Sequence, residues 1–161
     1  MSNAVHCNEC LRIEESSTYS AETHHILAKR QLLWYKVFQL IPAIATAVIG
    51  TLTVGKVVPQ WVGIVGLITA VVAAIGTTLN PQQSYYEHLS AAKAFTTMKH
   101  DARAIRKNAE YSATEDLTVS VNCLHDRYND LVRVAPVTED WAYEKARKRI
   151  RAGVHAPDDK S

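Results

Sequence analysis

Residues 37 to 86 hold a single charged side chain, Lys56, and nothing else constrains the fold of this chain as strongly. Val37 to Gly55 is uncharged, and so is Val57 to Tyr86, with a short polar break at Lys56 to Gln60 that contains Pro59. A helix rises about 1.5 Å per residue and a bilayer core is roughly 30 Å thick. Val37 to Gly55 therefore gives about 28 Å, an extension to Val58 spans the core, and Trp61 to Leu79 gives a similar length. Extended strands are excluded there, because open backbone groups in lipid cost several kcal/mol each. A helix of a soluble bundle would carry a polar face, and neither segment does. The two read as a transmembrane helical hairpin, with helices at about 37–58 and 61–79.

The charge missing from the centre sits at the two ends. Net charge is +2 over 161 residues, which carries no signature of nucleic-acid binding. The first 35 residues hold acidic pairs and histidines rather than a basic start and an apolar run, so the first hydrophobic helix is expected to act as its own insertion signal. Lys29, Arg30 and Lys36 precede the first span, and Lys93, Lys99, Arg103, Arg106 and Lys107 follow the second. With Lys56 alone in the connecting loop, the positive-inside rule puts both termini in the cytoplasm. Trp34 with Tyr35, Trp61, and Tyr85 with Tyr86 supply aromatic anchors at the expected boundaries.

Outside the spans the fold class is all-α, a membrane hairpin with a long N-terminal helix extension and cytoplasmic C-terminal helices. Residues 1–18 show no sustained periodicity and read as a mobile or weakly helical segment. From Tyr19 the pattern is helical, with Leu27, Trp34, Val37 and Ile41 compatible with one face, and Pro42 is expected to kink the helix near the membrane. After a break at Asn80-Pro81, Tyr85, Leu89, Ala92, Phe95, Met98, Ala102, Ile105 and Ala109 recur at helical spacing, which predicts a helix over about 82–110. Ser112 with Glu115 resembles a capping box that starts a helix over about 114–134. Its heptad face, Leu117, Val121, Leu124, Tyr128 and Leu131, is expected to pack the cytoplasmic helices together and help set an oligomer. Pro136 ends it, Thr138 is positioned to cap a last helix over about 139–152 closed by Gly153, and residues 153–161 read as a disordered tail.

Within the spans, small and weakly polar residues form two stripes. Gln39, Ala43, Thr46, Gly50 and Thr53 mark the first, and Gly63, Gly66, Ala70, Ala73 and Thr77 the second. Helices in lipid associate through close packing of small residues and interhelical hydrogen bonds. The stripes either pack the hairpin on itself or, for the first in particular, line an oligomeric pore, since two helices per chain are too few to enclose one. No carboxylate or arginine lies in either span, which counts against a pump or coupled transporter.

Chemistry-bearing constellations are sparse. Cys7 and Cys10 form a CxxC beside His6, and His24 or His25 could complete a zinc site, but no second CxxC exists and plain reduced thiols are expected. His24 and His25 read as polar-face residues with pH sensing as the alternative. Cys123 and His125 are two apart on a helix and do not face each other. The tandem carboxylates Glu14-Glu15 and Glu115-Asp116 read as solvated or capping residues. No glycine-rich phosphate loop and no Ser/His/Asp arrangement is present. The sequence thus predicts no enzyme, no catalytic residue, no metal and no cofactor. Lys145, Arg147, Lys148, Arg149 and Arg151 offset the last helix's dipole, or else meet anionic lipid headgroups or an anionic ligand such as a nucleotide or RNA.

The layout from Ser16 to Arg151 resembles the SLATT family, bacterial two-transmembrane effectors associated with SMODS nucleotidyltransferases, SLOG domains or reverse transcriptases in conflict systems. The resemblance rests on the helix from Tyr19 through Trp34-Tyr35 into a span with Pro42, Ala43 and Gly50, and on the short turn at Lys56 to Gln60. It continues through the second small-residue span and Asn80-Pro81 with Tyr86, His88 and Ala91, then Tyr128, Leu131, Ala135-Pro136, Tyr143, Ala146 and Arg147. These are architectural patterns rather than a catalytic signature. The resemblance implies a SLATT-like domain over 19–152 and an antiphage effector that oligomerises in the inner membrane. Such an effector permeabilises or depolarises the membrane when triggered, by a nucleotide second messenger or a partner sensor, and arrests or kills the cell. A non-conducting anchor or assembly subunit for a cytoplasmic defence enzyme is the alternative.

Overall fold

A computed structural model of the chain describes residues 3–54, 59–109, 111 and 113–153. Among these residues every regular element is a helix: α1 Asn3–Val54, α2 Trp61–Leu79, α3 Pro81–Asn108, α4 Thr114–Val134 and α5 Asp140–Arg151. They form two compact units. One runs from Lys29 to Tyr86, and the other contains α1 up to Ala28 together with the chain from Glu87 onward.

In the Lys29–Tyr86 unit, α1 and α2 pack antiparallel, with Phe38 against Gly76 and Ile49 against Gly66. From Tyr35 onward the half-buried residues of α1 are Tyr35, Phe38, Pro42, Ala45, Ile49 and Leu52, spaced by three and four as in a coiled-coil seam. From α2, Val62, Val65, Gly66, Thr69, Val72, Ala73 and Gly76 are covered to a comparable degree. Large apolar side chains, among them Leu33, Leu40, Ile44, Leu67, Ile68 and Val71, remain exposed. The most apolar stretch of the first long helix is 0% buried and that of the second 6%, whereas the core helix of a soluble domain would be covered. Both are long and apolar enough to cross a membrane.

α1 continues through Pro42. The missing Pro42 N–H leaves the Phe38 carbonyl without its ordinary helical donor. The junction between α2 and α3 turns on one residue. Asn80 adopts the left-handed conformation (φ 42°, ψ 55°) that asparagine tolerates better than most residues, and so ends α2. Pro81 then occupies the first position of α3, where a missing N–H costs nothing. The Asn80 carbonyl accepts from the Gln83 and Ser84 amides, and its side-chain amide donates to Gln83 Oε1 at 2.9 Å.

The other unit is a helical cluster built on an unusual face. Along α1 the buried positions include His6, Cys10, Ile13, Glu14, Ser17, Ala21, His24, Leu27 and Ala28. Cys10 and Ile13 join Met98, Ala102 and Ala109 with Leu117, Val121 and Leu124 in one core, and Cys7, Ile105, Tyr128 and Leu131 pack on it. A second core joins Ile26 and Leu27 to Ala142 and Ala146 of α5. Between these apolar contacts, α1 buries polar groups that neighbouring helices match. Glu14 accepts from Arg103 Nε at 2.7 Å and from Arg106 at 3.1 Å, and Arg149 of α5 makes a 2.6 Å charge contact with Glu22. His6 pairs with the Thr118 hydroxyl at 3.1 Å.

Several expectations are corrected here. The mobile segment over residues 1–18 is instead the start of α1, helical from Asn3, because Cys10, Ile13 and Ser17 are buried against other helices. The heptad face Leu117 to Leu131 packs the helices of the chain together, closing its own core with Cys10, Ile13, Met98 and Ala102. Glu139, not Thr138, is the residue preceding α5, and its side chain makes no cap hydrogen bond. Gly153, with φ 82°, follows the end of α5 in the conformation a closing glycine adopts. The turn at Gly55 to Val58, the Ser112 half of the capping box and the tail from Val154 lie outside the described residues.

Burial alone would raise the Glu14 carboxyl pKa, but hydrogen bonds from Arg103 and Arg106 and their charges outweigh it and hold it below the ordinary value. The stabilisation this represents is complete above pH 4.5 and is lost as pH falls through the lower folded value. Glu14→Gln should destabilise the unit by of order 2 kcal/mol, because two guanidinium groups lose their counter-charge while retaining partial access to water. Thermal unfolding of the variant should show a weaker dependence on acid than the parent. Ser17 supplies the contrast: its hydroxyl is fully buried with no hydrogen-bond partner among the described residues. Ser17→Ala should leave stability unchanged or raise it by up to about 1 kcal/mol in the same assay.

Candidate functional site

The α1–α2 pair decides what the small-residue stripes can do. Gln39, Ala43, Thr46, Gly50 and Thr53 are all exposed, each one position beyond the seam residues Phe38, Pro42, Ala45, Ile49 and Leu52. A Cβ added at Gly50 would meet nothing within 4 Å. The first stripe is therefore not consumed by packing within the chain. The second is divided. Gly66 and Ala73 are half-buried toward α1, whereas Gly63, Ala70 and Thr77 are exposed, and Gly63 also has open space before it.

Among the glycines of this pair, the tightest contact falls at one outside both stripes. A Cβ on Gly76 would lie 2.8 Å from Phe38 Cβ, nearer than carbon atoms tolerate. Sequence reasoning missed Gly76 because it sits one position before Thr77 in a segment that is apolar on every side. Beside it, Tyr35, Phe38, Gln39, Pro42, Ala73, Thr77 and Asn80 line an open cavity of about 400 Å³. The hydroxyls in this unit are largely spent on their own helices: Thr53 donates to the Ile49 carbonyl, Thr69 to Val65 and Thr77 to Ala74. Such back-bonding lowers the cost of a threonine in an apolar environment and leaves its lone pairs to accept from water.

The basic residues of α5 separate into two groups. Arg149 is drawn inward by Glu22, and Arg147 lies 3.5 Å from Glu144 on its own helix. Lys145, Lys148 and Arg151 are exposed, the last two on the side away from the buried Ala142 and Ala146.

The remaining polar residues resolve differently from their sequence pattern. Cys7 and Cys10 are three apart because both face the helical core. Burial, reinforced by the neighbouring Cys7, pushes the Cys10 thiol above its ordinary value, which disfavours the thiolate that metal binding or redox chemistry needs. His24 lies fourteen residues further along the same helix, about 21 Å away by helical rise, so it does not complete a site with the two thiols. No group of three metal-ligating side chains occurs among the described residues. Cys123 is exposed on α4, and His125 is 3.8 Å from Glu9.

His24 is not on a polar surface. It is buried and its Nδ1 lies 3.0 Å from Nδ1 of His88 on α3. Desolvation, with His88 and His25 adding to it, lowers its pKa to about 4. Burial also lowers that of His88, against the opposing pull of Glu87 and Glu139. The pairing joins residues sixty-four apart, and no local pattern announces it.

Comparison with family models, curated proteins and solved structures finds no match to this chain.

The contrast between glycines is directly testable. Gly76→Ala should lower the thermal stability of the detergent-solubilised chain by about 1–3 kcal/mol, the usual cost of overpacking. Gly50→Ala should leave that stability unchanged. Phe38→Ala should offset part of the Gly76→Ala penalty, which a double-mutant cycle measures.

Proposed function

We propose that this chain is a membrane effector of bacterial antiphage defence, of the SLATT kind. In this reading α1 from about residue 37 and α2 form a transmembrane hairpin in the inner membrane, with both termini cytoplasmic. Several copies assemble and permeabilise the membrane when a trigger acts on the helical unit. The trigger is a nucleotide second messenger or a partner such as a nucleotidyltransferase, a SLOG protein or a reverse transcriptase. On α5, Lys145, Lys148 and Arg151 are exposed cations that an anionic ligand or lipid headgroups would meet.

The observation that carries the proposal is the exposure of Gln39, Ala43, Thr46, Gly50 and Thr53 outside the α1–α2 seam. A glutamine amide facing hydrocarbon is costly, and polar groups in membranes turn toward partner helices or water. Gly50 permits close approach of a second copy, and Thr46 and Thr53 offer oxygen atoms to water without burying a charge. A chain with two spans encloses no channel alone, so conduction belongs to an assembly.

Topology is tested with a native residue. Cys123 is exposed on α4, so an impermeant maleimide should label it only after cells are permeabilised. Gln60→Cys in the connecting turn should be labelled in intact cells. Labelling of Cys123 from outside an intact cell refutes this orientation. Function is tested with the purified chain in dye-loaded liposomes and by membrane potential in expressing cells. Thr46→Leu with Thr53→Leu should keep insertion and assembly but reduce leakage. If assembled, triggered protein leaves both membranes tight, the chain is a non-conducting anchor instead.

A further inference from the structure

We propose that His24 and His88 form an acid-released latch between α1 and α3, set where both helices leave the helical unit. The chain crosses between the two units at Ala28/Lys29 on α1 and at Tyr86/Glu87 on α3. His24 lies about one turn before the first crossing, and His88 immediately follows Glu87 at the second. Both imidazoles are buried, at 2% and 8% exposure, with Nδ1 atoms 3.0 Å apart and ring centroids 5.2 Å apart. Phe95 of α3 stacks on the His24 ring at 5.6 Å. The pair is a single cross-link of two helices, closed by one shared proton.

The proton count explains the release. Two neutral imidazoles fit this geometry because one Nδ1–H donates and the other Nδ1 accepts. A first added proton, on Nε2 of the donating ring, keeps the shared bond but places a charge in a desolvated site. A second, on the accepting Nδ1, turns the acceptor into a donor, and two N–H groups then face each other.

The surrounding groups do not remove this sensitivity. His25 on α1 is a further basic group beside His24, and Phe95 offers it no acceptor. Glu22 on α1 is engaged by Arg149 of α5. Glu87 on α3 and Glu139, which precedes α5, act on His88 and favour its charged form, but burial outweighs them. Both histidines are therefore harder to protonate paired than free. The closed form is fully favoured above pH 6.5, the value of a free histidine, and loses ground as pH falls toward the lower folded values. Opening becomes easier by up to about tenfold per histidine for each pH unit below 6.5. If the chain admits protons to the cytoplasm, its own leak would then loosen the latch. That consequence rests on the function proposed above, whereas the latch does not.

The test uses the full chain in lipid nanodiscs, with no trigger and no leakage assay. Amide hydrogen exchange, corrected for its intrinsic pH dependence, is followed at pH 7.5, 6.5 and 5.5 over residues 20–28 and 87–95. Protection there should fall by one to two orders of magnitude across this range, about tenfold for each histidine, while residues 61–79 change little. His24→Gln with His88→Gln retains hydrogen-bonding groups but cannot titrate, and should flatten the response. NMR of the imidazole rings in the unaltered chain should show both titrating below the free-histidine value, which decides the matter even if the double variant fails to fold. Protection independent of pH, an equal response in the folded double variant, or rings titrating at the ordinary value would each overturn the latch.

Discussion

A charge or polar group removed from water must find a partner, and the helical unit is organised around that demand. Six polar residues on one helix are buried: His6, Glu14, Glu22 and His24 are met from elsewhere in the chain, Thr23 donates to the Tyr19 carbonyl of its own helix, and Ser17 is the exception, without a partner among the described residues. Thr118 of α4, Arg103 and Arg106 of α3, Arg149 of α5 and His88 of α3 supply the matches. Hydrocarbon contacts tolerate sliding by a fraction of a turn, whereas these pairings do not. A shift of α1 by one residue would strand two ionised carboxylates, so the contacts select one register as well as contributing stability. Small residues at Ala92, Ala102, Ala142 and Ala146 let the helices come close enough for the pairs to form.

The apolar pair follows a different logic. Its residues are hydrocarbon on nearly every side, so no charge selects a register. Shape does instead: Gly76 admits Phe38, and Ile49 rests against Gly66. Pro42 and Asn80 both line the cavity beside this contact. The two units thus hold two kinds of interface, one specified by polar partners and the other by a close steric fit.

That division also governs what could be read from the sequence. The apolar helices were legible because an uncharged run of membrane length needs no tertiary information. So were α3 and α4, whose buried residues Phe95, Met98, Leu117, Val121 and Leu124 are hydrophobic and periodic. The first five turns of α1 were illegible because the same spacing is carried by His6, Cys10, Glu14 and Ser17, which no hydrophobic pattern registers. The stripes were located, but their relation to the partner helix was not. An all-round apolar helix has no polar face to fix its rotation, and the seam lies one residue from the first stripe. His24 with His88, and Gly76 with Phe38, depend on residues far apart in the chain, so only the fold could bring them into view.

The Asn80-Pro81 joint has a chemical consequence. Asparagine in a strained turn is ordinarily a site of slow ageing: the next residue's backbone nitrogen attacks the side-chain amide, and the resulting ring opens to an altered backbone. Here that nitrogen belongs to proline, which has no hydrogen to give up. The one non-glycine residue at positive φ among those described is therefore shielded from that reaction by its own neighbour.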